Sequence, residues 1–419
     1  MRCKLSFFIF LLPLMFLQLF SLDAADFGLV TSQYAGIDNK KNKDANFEYE
    51  ANILPRLSFL LGNSGDLFLS AGITLGMSAD NQPSANKFYW IPELLRTEFS
   101  WRQNGMGIRL GRINYADPLG FIATGLFDGI QFSYYSTAGI FSAGAWYTGL
   151  LYRKNAYITM TETDQAAYGA SVDYNDFNRF SDTYFASRRL LASLDWEHPS
   201  IAQLLNLKAA VTAQFDLTGN KEDTYHSQYI TIKASVPVNS FTFELGGSLE
   251  IAEMDVAEVK DTNIAFAGDM GIYWMLPTGF DSLLALTGHF LGGNTAGIMG
   301  AFVPLSNRFY GDILKAKLSG LSLLGLNYTM RFTSALVTGL SVSHFIRNDL
   351  VTYKAYPVKN KDNGGRFLGT EFFARLVWGP FSDLQLSCGG GVFLPVMGNA
   401  APDEKPQWSV ELAVILALY

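Results

Sequence analysis

The chain has 419 residues, 49% of them hydrophobic and 16% charged, with a formal net charge of −7. That acidic balance argues against a nucleic-acid partner, which requires a basic footprint. Only four histidines leave little material for metal or acid–base chemistry, and no segment beyond the N-terminus reaches the ~18 uninterrupted apolar residues of a spanning helix.

Residues 1–25 form a secretory signal. Arg2 and Lys4 precede the apolar stretch from Leu5 to Phe20, and Ala24 and Ala25 supply small residues for cleavage. The run is short and ends before Asp23, which disfavours an uncleaved anchor. Cleavage removes Arg2, Lys4 and Asp23, taking the net charge from −7 to −8. Cys3 leaves as well, so Cys388 has no internal disulfide partner although the compartment is oxidising.

Past the signal, polar and apolar residues alternate with period two. Between residues 47 and 61, Glu48, Glu50, Asn52, Arg56 and Ser58 share one face, with Tyr49, Ala51, Ile53, Leu57 and Phe59 opposite. A descending strand carries Arg96, Glu98 and Arg102 and ends at Trp101 before Gln-Asn-Gly. The next ascends through Arg109. Tyr134 closes the following strand, and Trp196 closes the one carrying Arg189. Further on, Lys208, Lys233, Glu244 and Asp269 lie on polar faces, and Trp274 precedes a Pro- and Gly-containing turn. From Leu314 to Phe332 the parity never slips: Lys315, Lys317 and Arg331 are on one side, and Leu314, Leu318, Leu324 and Leu326 on the other. A slip of one residue would exchange the faces, so this segment reads as one long strand running through Gly320. Glu371 and Arg375 sit opposite Phe372, Leu376 and Trp378, and the chain finishes as a strand from Trp408 to Tyr419.

These features predict a transmembrane antiparallel up-and-down β-barrel over residues 26–419. It has about eighteen strands, with sixteen left open by soft boundaries, and no plug domain. A soluble β-sandwich shows the same alternation, but its strands are shorter and its aromatics do not gather at strand ends. Trp101, Tyr134, Trp196, Trp274, Phe332 and Trp378 form a periplasmic aromatic girdle in the outer membrane of a double-membraned bacterium. Short turns alternate with longer connections, as expected for periplasmic turns and external loops. The final strand matches the signal read by barrel-assembly machinery, except that Glu411 shares the parity of Tyr419.

By parity the pore lining comprises Arg56, Arg96, Glu98, Arg102, Arg109, Arg189, Lys208, Lys233, Glu244, Asp269, Lys315, Lys317, Arg331, Glu371 and Arg375. Each mid-depth charge facing lipid would cost ~2–4 kcal/mol, so these groups require an aqueous or well-paired interior. The apolar connection after Asp117 either folds inward, with Pro118, Phe121 and Ile122 as a constriction, or lies along the rim or in a subunit contact. The connection at 153–182, with Glu162, Asp164, Asp173, Asp176 and Asp182, reads as a solvated cap.

Arg109-Leu-Gly-Arg112, Asp117-Pro118 and Phe127-Asp128-Gly129 resemble a strand–loop–strand of large specific porins of the alginate-export and phosphate-selective type. The resemblance implies a solute channel in which Arg96 and Arg109 line a constriction attracting anions. Arg112 falls on the opposite parity, near the outer rim. The alginate-type lumen is rich in arginine, whereas this one balances acids and bases.

The expected role is a channel for small hydrophilic solutes through a charged lumen, embedded in the lipid bilayer, without cofactor or metal and compatible with a homotrimer. The alternatives are a substrate-specific transporter and a surface adhesin using its loops, for example Lys354, Lys359 and Lys361. A barrel enzyme is disfavoured because His198, His226, His289 and His344 are scattered along the sequence.

Overall fold

The structure, a computed structural model, describes residues 22–39, 45–79, 87–169, 177–219, 223–256, 259–294, 300–306, 309–350 and 363–418. Most of the signal, the three loop lysines Lys354, Lys359 and Lys361, and Tyr419 lie outside them. Eighteen antiparallel strands form one sheet: β1 Leu22–Asp38, β2 Asn46–Leu61, β3 Gly65–Ala79, β4 Lys87–Gln103, β5 Met106–Ala116, β6 Thr124–Ser136, β7 Gly139–Tyr147, β8 Arg189–Ile201, β9 Leu205–Asp216, β10 Asp223–Val238, β11 Phe241–Val256, β12 Val259–Leu276, β13 Asp281–Leu291, β14 Leu321–Thr333, β15 Leu336–Arg347, β16 Phe367–Phe381, β17 Leu384–Leu394 and β18 Gln407–Leu418. Each strand pairs with its sequence neighbours. Pairing of β1 with β18, from Leu29↔Leu418 to Asp38↔Ser409, closes the barrel and removes both sheet edges.

The alternation sets which way each face points. Leu194, Ile230, Ile232, Leu245 and Leu412 stand exposed on the outer surface, the face that lipid covers in a membrane barrel. Cys388 is exposed on the same face, paired with Leu376 and Leu412. Periplasmic turns are tight. At Asn104-Gly105 both residues have positive φ, +50° and +76°, the combination a type I′ hairpin requires. Near these turns Trp101 pairs with Ile108, Tyr134 with Phe141, and Trp378 with Leu386. Trp274 stacks on Phe241 at 5.4 Å, Trp196 donates to the Ala138 carbonyl at 3.0 Å, and Phe332 meets Phe280 edge-on.

The interior is not an empty pipe. Among the described residues, three external connections turn inward and pack on one another. The β5–β6 connection places Leu119, Phe121 and Ile122 in a buried cluster with Phe302, Ile313, Leu314, Phe345 and Phe393. The β7–β8 connection carries helices α1 (Arg153–Ala156), α2 (Glu162–Gly169) and α3 (Phe177–Tyr184). Its Leu151, Ile158 and Met160 are buried with Trp146 and Leu191. The β13–β14 connection forms a two-stranded hairpin of Phe309–Tyr310 and Ala316–Lys317.

Two expectations are corrected by this packing. The segment from Leu314 to Phe332 is not one strand. Lys315 (φ +46°) and Gly320 (φ +61°) break the extended backbone, so Ala316–Lys317 belongs to the inner hairpin and β14 starts at Leu321. Parity survives the break because an inner hairpin obeys the same period of two. The β7–β8 connection is not solvated along residues 151–153 and 158–161 and at Asp164. Asp164 is buried and ion-paired to Arg189 at 2.6 Å beside the buried Leu151, Ile158 and Met160, whereas Glu162 and Asp182 stay exposed and Asp173 and Asp176 lie outside the described residues.

Candidate pore constriction

The constriction begins where the β5–β6 hairpin leaves the wall. β4 and β5 pair from Gln103↔Met106 up to Thr97↔Arg112, and β6 and β7 pair only up to Asp128↔Tyr147. β5 and β6 stay paired with each other through Arg112↔Asp128 as far as Ala116↔Thr124. The hairpin therefore separates from both neighbours in one row and continues inward as a free ribbon. The row below is Gly111↔Gly129. A Cβ at Gly111 would lie 1.9 Å from the Thr97 carbonyl oxygen, and one at Gly129 2.1 Å from that of Ala145; Gly111 also has φ +113°. Only glycine fits this bend.

Arg112 and Asp128 stand at the bend on the outward parity. The guanidinium donates to both carboxylate oxygens at 2.8 Å, to the Leu150 carbonyl at 3.0 Å and to the Leu94 carbonyl. It is buried. At the vacated edge of β4, Tyr184 of the β7–β8 connection donates to the Pro92 carbonyl at 2.6 Å, and Asn155 donates to the Glu93 carboxylate at 2.6 Å.

Asp117 shapes the ribbon's tip. One carboxylate oxygen accepts the N–H groups of Leu119 and Gly120, the other those of Ile122 and Ala123, all at 2.8–3.0 Å. Burial pushes this carboxyl up from its ordinary range, against the pull of the four N–H groups. The tip docks on residues 301–306, where Ser306 accepts the Thr124 N–H and gives its own to the Ile122 carbonyl. Phe121 reaches the His289 ring on β13 edge-on at 5.9 Å. Pro118 is half-buried beside it, lining a cavity with Asp195, Glu197 and Lys208.

Wall carboxylates hold the other inward segments. Glu371 accepts the N–H groups of Asp312, Ile313 and Leu314, and Glu250 accepts that of Val303. Lys317 spans the interior to the Thr159 carbonyl at 2.8 Å. Burial holds its ammonium down at about 8, partly offset by Asp164. Arg189 is sealed between Asp164 and Asp216, and Lys233 bridges Glu244 and Asp269, with His289 on the far side of Asp269. Of the residues that parity predicts to line the pore, Arg189, Glu371 and Asp269 therefore lie buried against the inward segments. Lys315 and Lys317 stand on the inner hairpin rather than on the wall. Lys208 pairs with Glu197, and Arg102 lies over the Tyr135 ring; with Arg331 they are near the periplasmic turns.

The remaining cations occupy the side of the barrel formed by β16–β18 and β1–β5. Arg56 and Arg96 flank Ser70 in one row, with Arg56 lying over Gly28. Arg96 and Arg109 share Glu98, at 2.5 and 2.7 Å. Arg375 bridges Glu411 at 2.7 Å and Asp312 at 3.2 Å. In each group the base is more open than the acid. Arg96 and Arg109 are 42% and 32% exposed over a Glu98 that is 7% exposed, and Arg375 is 47% exposed against 25% for Glu411 and 38% for Asp312. Glu48 and Glu50 lie closer to the external end of β2, with Glu50 bonded to Tyr89.

No family model matches this chain, and no curated protein matches it in sequence. Solved structures do match. They include the outer membrane protein OpdK of Pseudomonas aeruginosa, with TM-score 0.60, 13% identity and coverage of 95% of this chain and 100% of that one. OccK2 (OpdF) of the same organism, in complex with glucuronate, gives 0.57 and 14% over 95% and 98%, and its OprD gives 0.57 and 14% over 95% and 94%. At such identities the likeness is one of fold alone, a closed antiparallel β-barrel. These structures are not of the alginate-export or phosphate-selective type that residues 109–129 resemble.

Proposed function

We propose that the chain is an outer-membrane channel that admits small hydrophilic solutes and favours those bearing a carboxylate or similar anion. The observation that carries this reading is the exposure difference on the open side of the lumen. A passing solute meets the guanidinium edges of Arg96, Arg109 and Arg375 before it meets the acids that tether them. Guanidinium binds planar oxyanions through two parallel N–H bonds, and rings of charge set selectivity in pores. Three inward segments occupy part of the lumen, which favours a substrate-selecting channel over a general diffusion pore. The OccK2 structure holds glucuronate and one OpdK structure holds vanillate, both carboxylates, which supports the same class here. Conduction needs no catalytic group, and we read the chain as a channel and not an enzyme. Assembly through the C-terminal strand Trp408–Tyr419 and a homotrimeric state belong to the same proposal.

The test is the reversal potential of single channels in asymmetric KCl. The parent should prefer anions, and Arg96→Ala/Arg109→Ala should lose most of that preference. Equal permeability of both ions in the parent, or a double variant with unchanged preference, refutes the anion reading.

A further inference from the structure

Arg112 and Asp128 occupy a costly place. Arg112 is six residues above the β5 turn, which at ~3.3 Å per residue and a tilt of ~40° puts it about 15 Å up, near mid-membrane. Its register partners Thr97 and Asp128 place it on the outward parity, where the neighbouring positions are Leu94, Leu110 and Ile130. An ion pair among lipid-facing aliphatics requires a reason, and the pairings supply one. Arg112↔Asp128 is the last row in which the β5–β6 hairpin still touches both neighbouring strands. The guanidinium reaches β4 through the Leu94 carbonyl, β6 through Asp128 and the β7–β8 connection through Leu150. Three separate pieces of chain thus meet on one side chain directly above two facing glycines that leave the backbone free to bend.

We propose that Arg112 and Asp128 are positioning residues for the constriction. They clamp the root of the β5–β6 hairpin, so the angle at which it enters the lumen, and with it the free cross-section beside Arg96 and Arg109, is fixed by this pair. Neither residue faces the solute. They act through the tip, which carries Leu119, Phe121 and Ile122 across the barrel. The clamp itself is a statement about the hairpin, and only its effect on conduction rests on the channel reading.

The experiment uses the full-length refolded barrel in a Cys388→Ser background with spin labels at Pro118→Cys and Glu48→Cys, on the tip and on β2. Tip-to-wall distances are read by pulsed dipolar spectroscopy, and unlabelled protein is recorded in planar bilayers. Asp128→Asn keeps the volume and removes the charge. It should broaden the distance distribution and raise open-channel conductance at least 1.5-fold, with frequent substates. Arg112→Lys keeps the pair but cannot span all three partners, so it should fall between parent and Asp128→Asn, a grading that a merely structural residue would not give. A folded Asp128→Asn barrel with the parent's narrow distribution and conductance overturns the proposal. So does failure of Asp128→Asn to assemble, because a positioning pair leaves assembly intact. A parent that does not conduct refutes the channel reading, while the distance measurement still decides the clamp.

Discussion

Replacing Asp117 with alanine tests whether the tip of the constriction is held by one carboxylate. In the parent this buried group accepts four backbone N–H bonds between 2.8 and 3.0 Å. Hydrogen bonds to a charged partner contribute ~1.5–3 kcal/mol each, and an orphaned buried donor costs ~1–3 kcal/mol. Four would sum to ~6–12 kcal/mol, above the range of ordinary single substitutions. Two corrections apply: alanine also relieves the desolvation of the carboxylate, and the freed tip can turn some N–H groups to water. A net loss of ~3–5 kcal/mol in tip docking is the expected scale. The loss is local, because the barrel's ladder bonds do not involve the tip. Hydrogen exchange of residues 119–123 should accelerate at least 100-fold, while amides of β9–β12 keep parent rates. Channel recordings should show a noisy, wider pore. Unchanged exchange at 119–123, or a uniform acceleration over the whole barrel, would refute the reasoning: the first by showing the tip held otherwise, the second by showing Asp117 to be a global stability residue.

Two other outcomes follow from particular groups. Lys317 carries an ammonium pushed down from an ordinary 10.5 to about 8 when the inner hairpin is docked. Between those values the undocked form binds more protons, so docking strengthens as pH rises from about 8 towards 10.5 and is weakest below 8. Gating transitions should become rarer from pH 7 to 9.5, and Lys317→Met should show little of that trend; the same trend in both proteins would exonerate Lys317. On the outer surface, Leu245 is 69% exposed, and Leu245→Arg should lower unfolding free energy in liposomes by ~2–4 kcal/mol. Ser235→Arg, whose position faces inward opposite Glu244, should cost less than ~1 kcal/mol. Equal losses at the two positions would mean that the faces are assigned the wrong way round.

Period-two alternation makes the wall legible because it is a local rule: each residue's face follows from its neighbour's. Barrel class, strand number and the lumen parity of Arg56, Arg96, Glu98, Arg109 and Arg375 all follow from it. The interior was less legible because it is assembled from contacts distant in sequence. Thr159 meets Lys317 and Asp312 meets Glu371, and no periodicity links them. The inner hairpin shows the limit most clearly. It keeps strand parity while leaving the wall, so alternation alone cannot tell Ala316–Lys317 from the start of β14. The signal that could have separated them is Gly320, which with Ser322 interrupts the large apolar residues on that parity between Leu318 and Leu324. Arg112 shows the converse. Its outward parity looked like a rim position, but parity says nothing about where a strand loses its neighbour.

A near-balanced set of lumen charges is compatible with anion preference, and the reason lies in burial rather than in number. Counting by parity treats every charge as equally visible to a solute. In the folded barrel four of the acids serve one of two duties that hide them. Asp117, Glu250 and Glu371 accept backbone N–H groups of inward segments, and Glu98 lies beneath two arginines. Carboxylates suit those duties because each oxygen accepts more than one N–H. Arginine cannot accept a hydrogen bond at all, so it cannot cap a turn in this way, and its long stem carries the charged head out to water. The acids that knit the inward segments together are thus withdrawn from the channel, while Arg96, Arg109 and Arg375, tethered to Glu98, Glu411 and Asp312, are left more exposed than those partners. Glu48 and Glu50, nearer the external mouth, retain their access to water. The accessible charge along the path is therefore acidic at the entrance and basic at the constriction. A channel built this way should pass anions selectively yet rectify, because anions meet the repelling entrance from outside and leave past it from within. Neutralising Glu48 and Glu50 together should flatten the current–voltage curve and leave the reversal potential nearly unchanged. A large shift of reversal potential with no change in curvature would place the selectivity at the mouth and not at Arg96 and Arg109.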